Sequence, residues 1–240
     1  MRQIQHFFIQ GDLNQADVLI EDRDLLRQMK DVLRFRKGDA CVLLDNEGTV
    51  AEAVLEEFHS KGARFAIHAR KQVPPPERSL HLYCALPKKP TTLEWIVEKA
   101  TELGVTDIHP LDTARCQVHE LRKTERLKAI LKEASEQSER AYLPKLHELN
   151  SFADFLKDFP KGQVLAGDAW LHEGKLAEMG PFAGEVSIVI GPEGGLTHEE
   201  LEGIQASGGR VFLLGDTVLR METAVIASLS VVQFSLSISS

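Results

Sequence analysis

Only three cysteines occur in the 240-residue sequence, and Cys41, Cys84 and Cys116 lie far apart. There is no Cys-x-x-Cys pair, and an odd number leaves at least one thiol outside any intrachain bridge. Buried, free thiols in a reducing compartment are therefore expected. Long apolar runs are missing too. Nothing approaches the ~20 residues that span a bilayer, so no membrane partner is expected. Residues 1–12 contain no signal-peptide apolar segment, which predicts a soluble, cytoplasmic protein.

Several catalytic fingerprints are also absent. Without Gly-x-x-x-x-Gly-Lys-Ser/Thr there is no P-loop, and no Gly-x-Gly-x-x-Gly follows a strand to cradle a dinucleotide. No Gly-x-Ser-x-Gly offers a nucleophile elbow. His-Glu-x-x-His is missing and the nine histidines are scattered along the chain, so no metal site is expected.

What is present is an ordinary globular composition, 43% apolar and 27% charged, which argues against disorder. At this length the chain has room for one large or two small domains. The net charge of −8 is uneven: residues 1–72 hold 11 basic and 12 acidic side chains, residues 73–240 hold 17 and 24. An RNA partner would have to use a local basic stripe rather than the field of the whole molecule.

Val73-Pro74-Pro75-Pro76 marks a stiff, extended connector, dividing the chain into 1–72 and 73–240. Before it, 40–45, 49–55 and 63–69 read as short strands, with a turn at Asn46-Glu47-Gly48, predicting a small β domain, barrel-like if closed. After it, strands alternate with helices. Strands are predicted at 79–86, 105–110, 164–167, 186–190 and 211–214. Helices are predicted from a Thr91/Glu94 capping box to Gly104, over 124–141, from a Thr197/Glu200 capping box, and over 222–236. The second domain is α/β with a largely parallel sheet.

Three strand-to-loop junctions stand out: Leu165-Ala166-Gly167-Asp168, Ile190 to Gly195, and Leu214-Gly215-Asp216-Thr217-Val218-Leu219-Arg220. Ligands of open α/β sheets collect at the carboxyl ends of strands, and glycine lets backbone approach them. One such glycine would be an ordinary turn; three junctions together predict a ligand site. Glu193 among the glycines offers a catalytic acid or, as the favoured reading, a carboxylate that holds its own loop.

Ile190-Gly191-Pro192-Glu193-Gly194-Gly195-Leu196-Thr197, Leu214-Gly215 and Val218-Leu219-Arg220-Met221-Glu222-Thr223-Ala224 resemble the SPOUT class of RNA methyltransferases. More closely, the chain resembles the bacterial 16S rRNA (uracil-N3)-methyltransferase family. Val32-Leu33-Arg34-Phe35-Arg36-Lys37-Gly38-Asp39, Glu98 to Val105, and Glu136-Gln137-Ser138 with Pro144 fit that one family. The resemblance implies a PUA-like β-barrel at 1–72 that binds RNA, and a SPOUT domain with a deep trefoil knot at 73–240. It also implies S-adenosylmethionine as cofactor, a homodimer, and 16S rRNA of the assembled small subunit as substrate. Carried over, the cofactor contacts are Leu165, Ala166, Gly167, Gly191, Pro192, Glu193, Gly194, Gly195, Leu213, Leu214, Gly215, Val218 and Leu219. The sequence departs from the family in four places: Glu139 stands where glycine is usual, Thr217 where arginine is common, Met221 where threonine is, and His6 where arginine is frequent.

Methyl transfer to uracil N3 requires loss of the N3 proton and stabilisation of the resulting charge on the flanking oxygens. Arg220 is the candidate for that role, an ion pair with Glu222 or Glu193 being the alternative; Glu222 is a candidate proton acceptor or a favourable helix-end charge. Arg34, Arg36, Lys37, Lys88 and Lys89 are the expected RNA contacts, the first three forming a strip at the barrel edge. Lys123, Arg126 and Lys128 read as a solvated helix face, and Trp95 as core. The competing functions are a ribose 2′-O-methyltransferase of the same class and a catalytically silent RNA-binding factor.

Overall fold

The structure, a computed structural model, describes residues 4–238, with side chains as far as 235. It divides into two compact units.

The first unit comprises Met1–Pro75 together with Ser135–Leu143. Its elements are β1 (Gln5–Phe8), β2 (Asp17–Ile20), α1 (Arg23–Arg27) with a wide helical turn over Gln28–Val32, β3 (Ala40–Leu44), β4 (Thr49–His59) and β5 (Gly62–Gln72). The strands pair in the order β1-β3-β4-β5-β2, parallel between β1 and β3 and antiparallel elsewhere. Alternation sets the inward face: Thr49, Ala51, Ala53 and Leu55 of β4 are buried while Glu52 is exposed. Ala51, Ala53 and Leu55 pack with Phe7, Leu43 and Phe65. The β3–β4 turn forms where expected, with Asn46 and Gly48 at positive φ and the Asp45 carboxylate accepting the N–H groups of Glu47 and Thr49. β1 and β2, four residues each, are additional to the three strands read from the sequence.

Segment Ser135–Leu143 joins this unit for identifiable reasons. The Phe8 N–H donates to Glu136 Oε1 at 2.8 Å, the Leu143 N–H to Asn46 Oδ1 at 2.7 Å, and the Tyr142 hydroxyl to the Val73 carbonyl at 2.9 Å. Leu143 also packs on Phe8, Val42 and Leu44. The boundary expected after residue 72 thus falls after Pro75, and a distant second segment completes the unit.

The second unit comprises Pro76–Ala134 and Pro144–Ser240. In chain order it runs β6 (Ser79–Ala85), α2 (Pro90–Glu102), β7 (Asp107–Asp112), α3 (Thr124–Gln137), β8 (Lys145–Leu146), β9 (Asn150–Ser151), α4 (Phe152–Lys157), β10 (Gln163–Gly167), β11 (Gly174–Lys175), a short turn at Leu176–Glu178, β12 (Glu185–Ile190), α5 (His198–Ala206), β13 (Arg210–Leu213) and α6 (Met221–Ile238). The last three residues of α3 are counted with the first unit. The sheet order is β11-β13-β10-β12-β6-β7-β8, with β9 also on β7, and these pairings are parallel. Both faces are covered, as the near-continuous apolar strands require. Leu80, Leu82, Val186, Ile188 and Phe212 pack with α2, α3 and α6, and Val164, Ala166, Val189 and Val211 with α4 and α5.

Helix ends follow local chemistry. Thr197 and Glu200 form the expected capping box of α5. The Thr91/Glu94 box does not start α2: Lys89 is the N-cap and Pro90 occupies the first turn, where its missing N–H costs nothing. Gly104, at φ +84, ends α2 as expected, with the Val105 N–H donating to the Ala100 carbonyl. α3 stops at Gln137, four residues before the expected end, because Glu139 adopts φ +59 and the Arg140 N–H turns back to the Ser135 carbonyl at 3.0 Å. Among the described residues, no helix is long and apolar enough to cross a membrane.

Candidate functional site

Parallel register brings the three glycine-bearing junctions to one edge of the second unit's sheet. Gly167, the last residue of β10, pairs with Ile190 on one side and Phe212 on the other. Space is tight at two of these points, and at Gly191 the backbone itself excludes a side chain. A Cβ on Gly191 would lie 2.7 Å from the Leu196 backbone nitrogen, and one on Gly167 would lie 2.8 Å from Ile190 Cδ1. Gly195 turns at φ +71, its N–H donating to the Pro192 carbonyl. By contrast, a Cβ on Gly215 would meet nothing within 4 Å. Backbone there stands open to an incoming group.

Polar side chains fasten these loops. Arg115 Nη1 donates to the carbonyls of Gly194 (2.7 Å) and Leu196 (3.1 Å). Glu200 is buried, bonding the Ala114 N–H at 2.8 Å through Oε1 while Oε2 caps Thr197. Asp168 Oδ1 accepts the N–H groups of Trp170 and Leu171, both at 2.8 Å, and shapes the turn after β10. Glu193 accepts the Lys88 N–H at 3.1 Å, so it clamps the segment after β6 rather than its own loop. Arg115 was not among the sequence candidates. It follows β7 just as the other site loops follow their strands, a signal hidden because β7 extends to Asp112, past its predicted end.

The third loop leads from β13 into α6. Leu213, Leu214, Gly215 and Leu219 are half-buried, while Asp216, Thr217, Val218 and Arg220 are exposed. Arg220 occupies the N-cap position of α6, its carbonyl accepting the Ala224 N–H at 2.8 Å. Among the described residues it forms no ion pair within 4 Å with Glu222 or Glu193. Glu222 is half-buried in the first turn, and Met221 is buried in the core.

Lys88 and Lys89 are exposed just beyond β6. Beside Lys88 lies a cavity of about 240 Å³ with Leu86, Leu93, Leu121 and Leu127 in its lining. Arg34, Arg36 and Lys37 are exposed in the first unit, Arg34 between half-buried Leu33 and buried Phe35 and the other two just after Phe35. They do not form a strip on an edge strand. Arg34 sits at φ +55, ending the Gln28–Val32 turn, and Arg36 and Lys37 continue a loop held by the Asp39 carboxylate. Arg126 faces Glu94 and Glu133, and Lys128 binds Glu125 at 2.7 Å, as a solvated helix face requires. Trp95, expected in the core, is 41% exposed on the outer side of α2.

A second polar cluster occupies the other end of the strands, on the sheet face that carries α4 and α5. His81 Nδ1 and His109 Nε2 are 3.1 Å apart, and His147 Nε2 lies 2.8 Å from Asp107 Oδ1. The rings of Tyr83, His109 and His147 stack at centroid separations of 4.2 and 3.8 Å. Burial, reinforced by His147 and His81, holds His109 down to about 3. Burial opposes ionisation of Asp107, but the His147 hydrogen bond and His81 outweigh it and keep its carboxyl below the usual range. Sequence spacing hid this cluster, because strand pairing assembles it from residues 26 to 66 positions apart in pairs such as His81 and Asp107 or His81 and His147.

A family model described as an RNA methyltransferase domain matches residues 74–233. The chain is 29% identical over 255 residues to the ribosomal RNA small subunit methyltransferase E of Bacillus subtilis strain 168, covering 96% of each chain. It is 30% identical over 237 residues to the protein of that name from Mycobacterium bovis, covering 94% of this chain and 90% of the relative. The crystal structure of a ribosomal RNA small subunit methyltransferase E from Neisseria gonorrhoeae bound to S-adenosylmethionine superposes with a TM-score of 0.87. It is 25% identical and the match covers 97% and 98% of the two chains.

Proposed function

Since this chain belongs to the RNA methyltransferase family, within the group of ribosomal RNA small subunit methyltransferases E, we propose that it transfers a methyl group from S-adenosylmethionine to N3 of one uridine in 16S rRNA. The observation that carries this reading is the parallel register of Gly167, Ile190 and Phe212, which gathers three backbone-rich loops immediately before an exposed arginine.

The residues fit the cofactor. Backbone is open at Gly215, exposed at Gly194 and flanked by half-buried Leu214 and Leu219, giving polar groups beside apolar surface. Residues 165–167, 191–195 and 213–219 would hold it, chiefly through main-chain groups. When bound, S-adenosylmethionine supplies an electrophilic methyl group.

The chain's own work is to position the base and manage one proton. Removing the N3 proton leaves negative charge on the imide oxygens, and Arg220, at the positive end of α6, supplies the compensating cation. Half-buried Glu222 sits where a helix N-terminus favours a carboxylate; it acts as a structural charge, and the proton leaves to water. Arg34, Arg36 and Lys37, with Lys88 and Lys89, bind RNA phosphates. The first unit acts as a PUA-like RNA-binding domain, a role its mixed five-stranded sheet and exposed basic loop support.

A deep trefoil knot in the second unit is supported by the path of its last segment. β13 lies on the far side of β10 from β12, yet the chain returns to lay α6 against β12 and α2. A homodimer is supported by apolar surface on the same paired helices, Trp95 on α2 and Phe234 on α6, the latter 69% exposed. The enzyme's place is the bacterial cytoplasm, with the small ribosomal subunit.

Incubation with labelled S-adenosylmethionine and small subunits from cells lacking the enzyme should yield 3-methyluridine on nucleoside mass spectrometry. A 2′-O-methylated nucleoside would move the protein to the ribose-modifying reading. Cofactor binding with no methyl transfer would make it a silent RNA-binding factor.

A further inference from the structure

We propose that His81, His109 and Asp107 form a binding site for one divalent transition-metal ion of the zinc type, separate from the methyl-transfer site. One ligand atom from each of the three lies within 4.8 Å of the other two. The two imidazole nitrogens, 3.1 Å apart, match the spacing of neighbouring ligands that each lie about 2.0–2.1 Å from one metal ion. Two histidines and a carboxylate are a common zinc ligand set, and the remaining position falls to water.

The surroundings are those of a metal site rather than of a chance pair. Asp107 is oriented by His147 through a 2.8 Å hydrogen bond, the carboxylate–histidine support that fixes ligand geometry around metals. His109 is clamped between the rings of Tyr83 and His147. His81 and Asp107 keep 17% and 21% of their side-chain surface, enough for an ion to enter. In register beside His81, on the same sheet face, stands Ser187, fully buried with a hydroxyl that has no hydrogen-bond partner. Buried hydroxyls are normally hydrogen-bonded, and a water held by the ion is one group that would satisfy this one.

The site lies at the start of the strands. In register His81 lies beside Ser187 and Cys84 beside Ile190, so four residues of β12, about 13 Å at 3.3 Å per extended residue, separate the ion from the cofactor loop that begins at Gly191. Its role is to tie β6 to β7 and, through His147, to the β8 edge. Methyl transfer does not depend on it.

Co²⁺ titrated into the full-length, tag-free chain is the test. We expect a saturable visible ligand-field absorption at one equivalent, displaced by Zn²⁺. His81→Gln and His109→Gln should each abolish it, and His147→Gln should weaken binding about 10- to 100-fold. Absence of a saturable band, or a band that persists in both His81→Gln and His109→Gln, overturns the site. Should either variant fail to fold, the unaltered chain still decides. Zn²⁺ should shift the ring resonances of His81 and His109 while leaving exposed His119 and His198 unmoved, and the reverse pattern refutes the assignment.

Discussion

At the scale of single residues, Arg220 combines three properties that seldom meet: a permanent charge, exposure, and a backbone fixed at a helix N-cap. The fixed backbone keeps the guanidinium near one place without the cost of a buried ion pair. Arg220→Ala should lower single-turnover methyl transfer about 100- to 1,000-fold, the usual loss of a preorganised charge-stabilising donor. Equilibrium dialysis should find S-adenosylmethionine affinity unchanged. An unchanged single-turnover rate would remove Arg220 from the mechanism. Met221, beside it, is buried in the core with Val225 and Leu229. The glycine-bearing loops and the place of Arg220 at the start of α6 were legible in the sequence because apolar strand runs and turn glycines mark them. Arg115, His81 and His109 were not, since their partners arrive only through sheet pairing.

At the scale of elements, strand centres and the α5 capping box could be read from period and cap residues, whereas β1, β2 and the end of α3 could not. β1 and β2 are too short for alternation to show. The end of α3 has a different cause. A helix closing through a left-handed residue normally uses glycine, and here Glu139 holds that conformation at φ +59. The backbone takes a shape that favours glycine while carrying a glutamate side chain. Relief of the left-handed strain, about 1–2 kcal/mol, exceeds the added freedom of an unfolded glycine. Glu139→Gly should therefore stabilise the chain by about 0.5–1 kcal/mol in urea unfolding, whereas Glu139→Ala, which keeps the Cβ, should not. Equal midpoints for Glu139→Gly and the parent would show that the left-handed position carries no strain.

At the scale of the whole molecule, a net charge of −8 must coexist with affinity for a polyanion. In the function proposed above, the exposed cluster of Arg34, Arg36 and Lys37 would resolve this locally, on a loop where buried Phe35 anchors the backbone between charged neighbours. Neutralising all three should weaken RNA binding and reduce the slope of log affinity against log salt by about 2 to 3. A slope that stays the same would assign RNA binding elsewhere. The first unit, built from Met1–Pro75 and Ser135–Leu143, also constrains the order of biosynthesis. Until Leu143 has left the exit tunnel, the nascent chain holds β1, β3 and β4 without the contacts to Phe8, Asn46 and Val73 that Glu136, Tyr142 and Leu143 provide. The N-terminal unit, normally first to mature during translation, must here wait while more than half of the polypeptide is made.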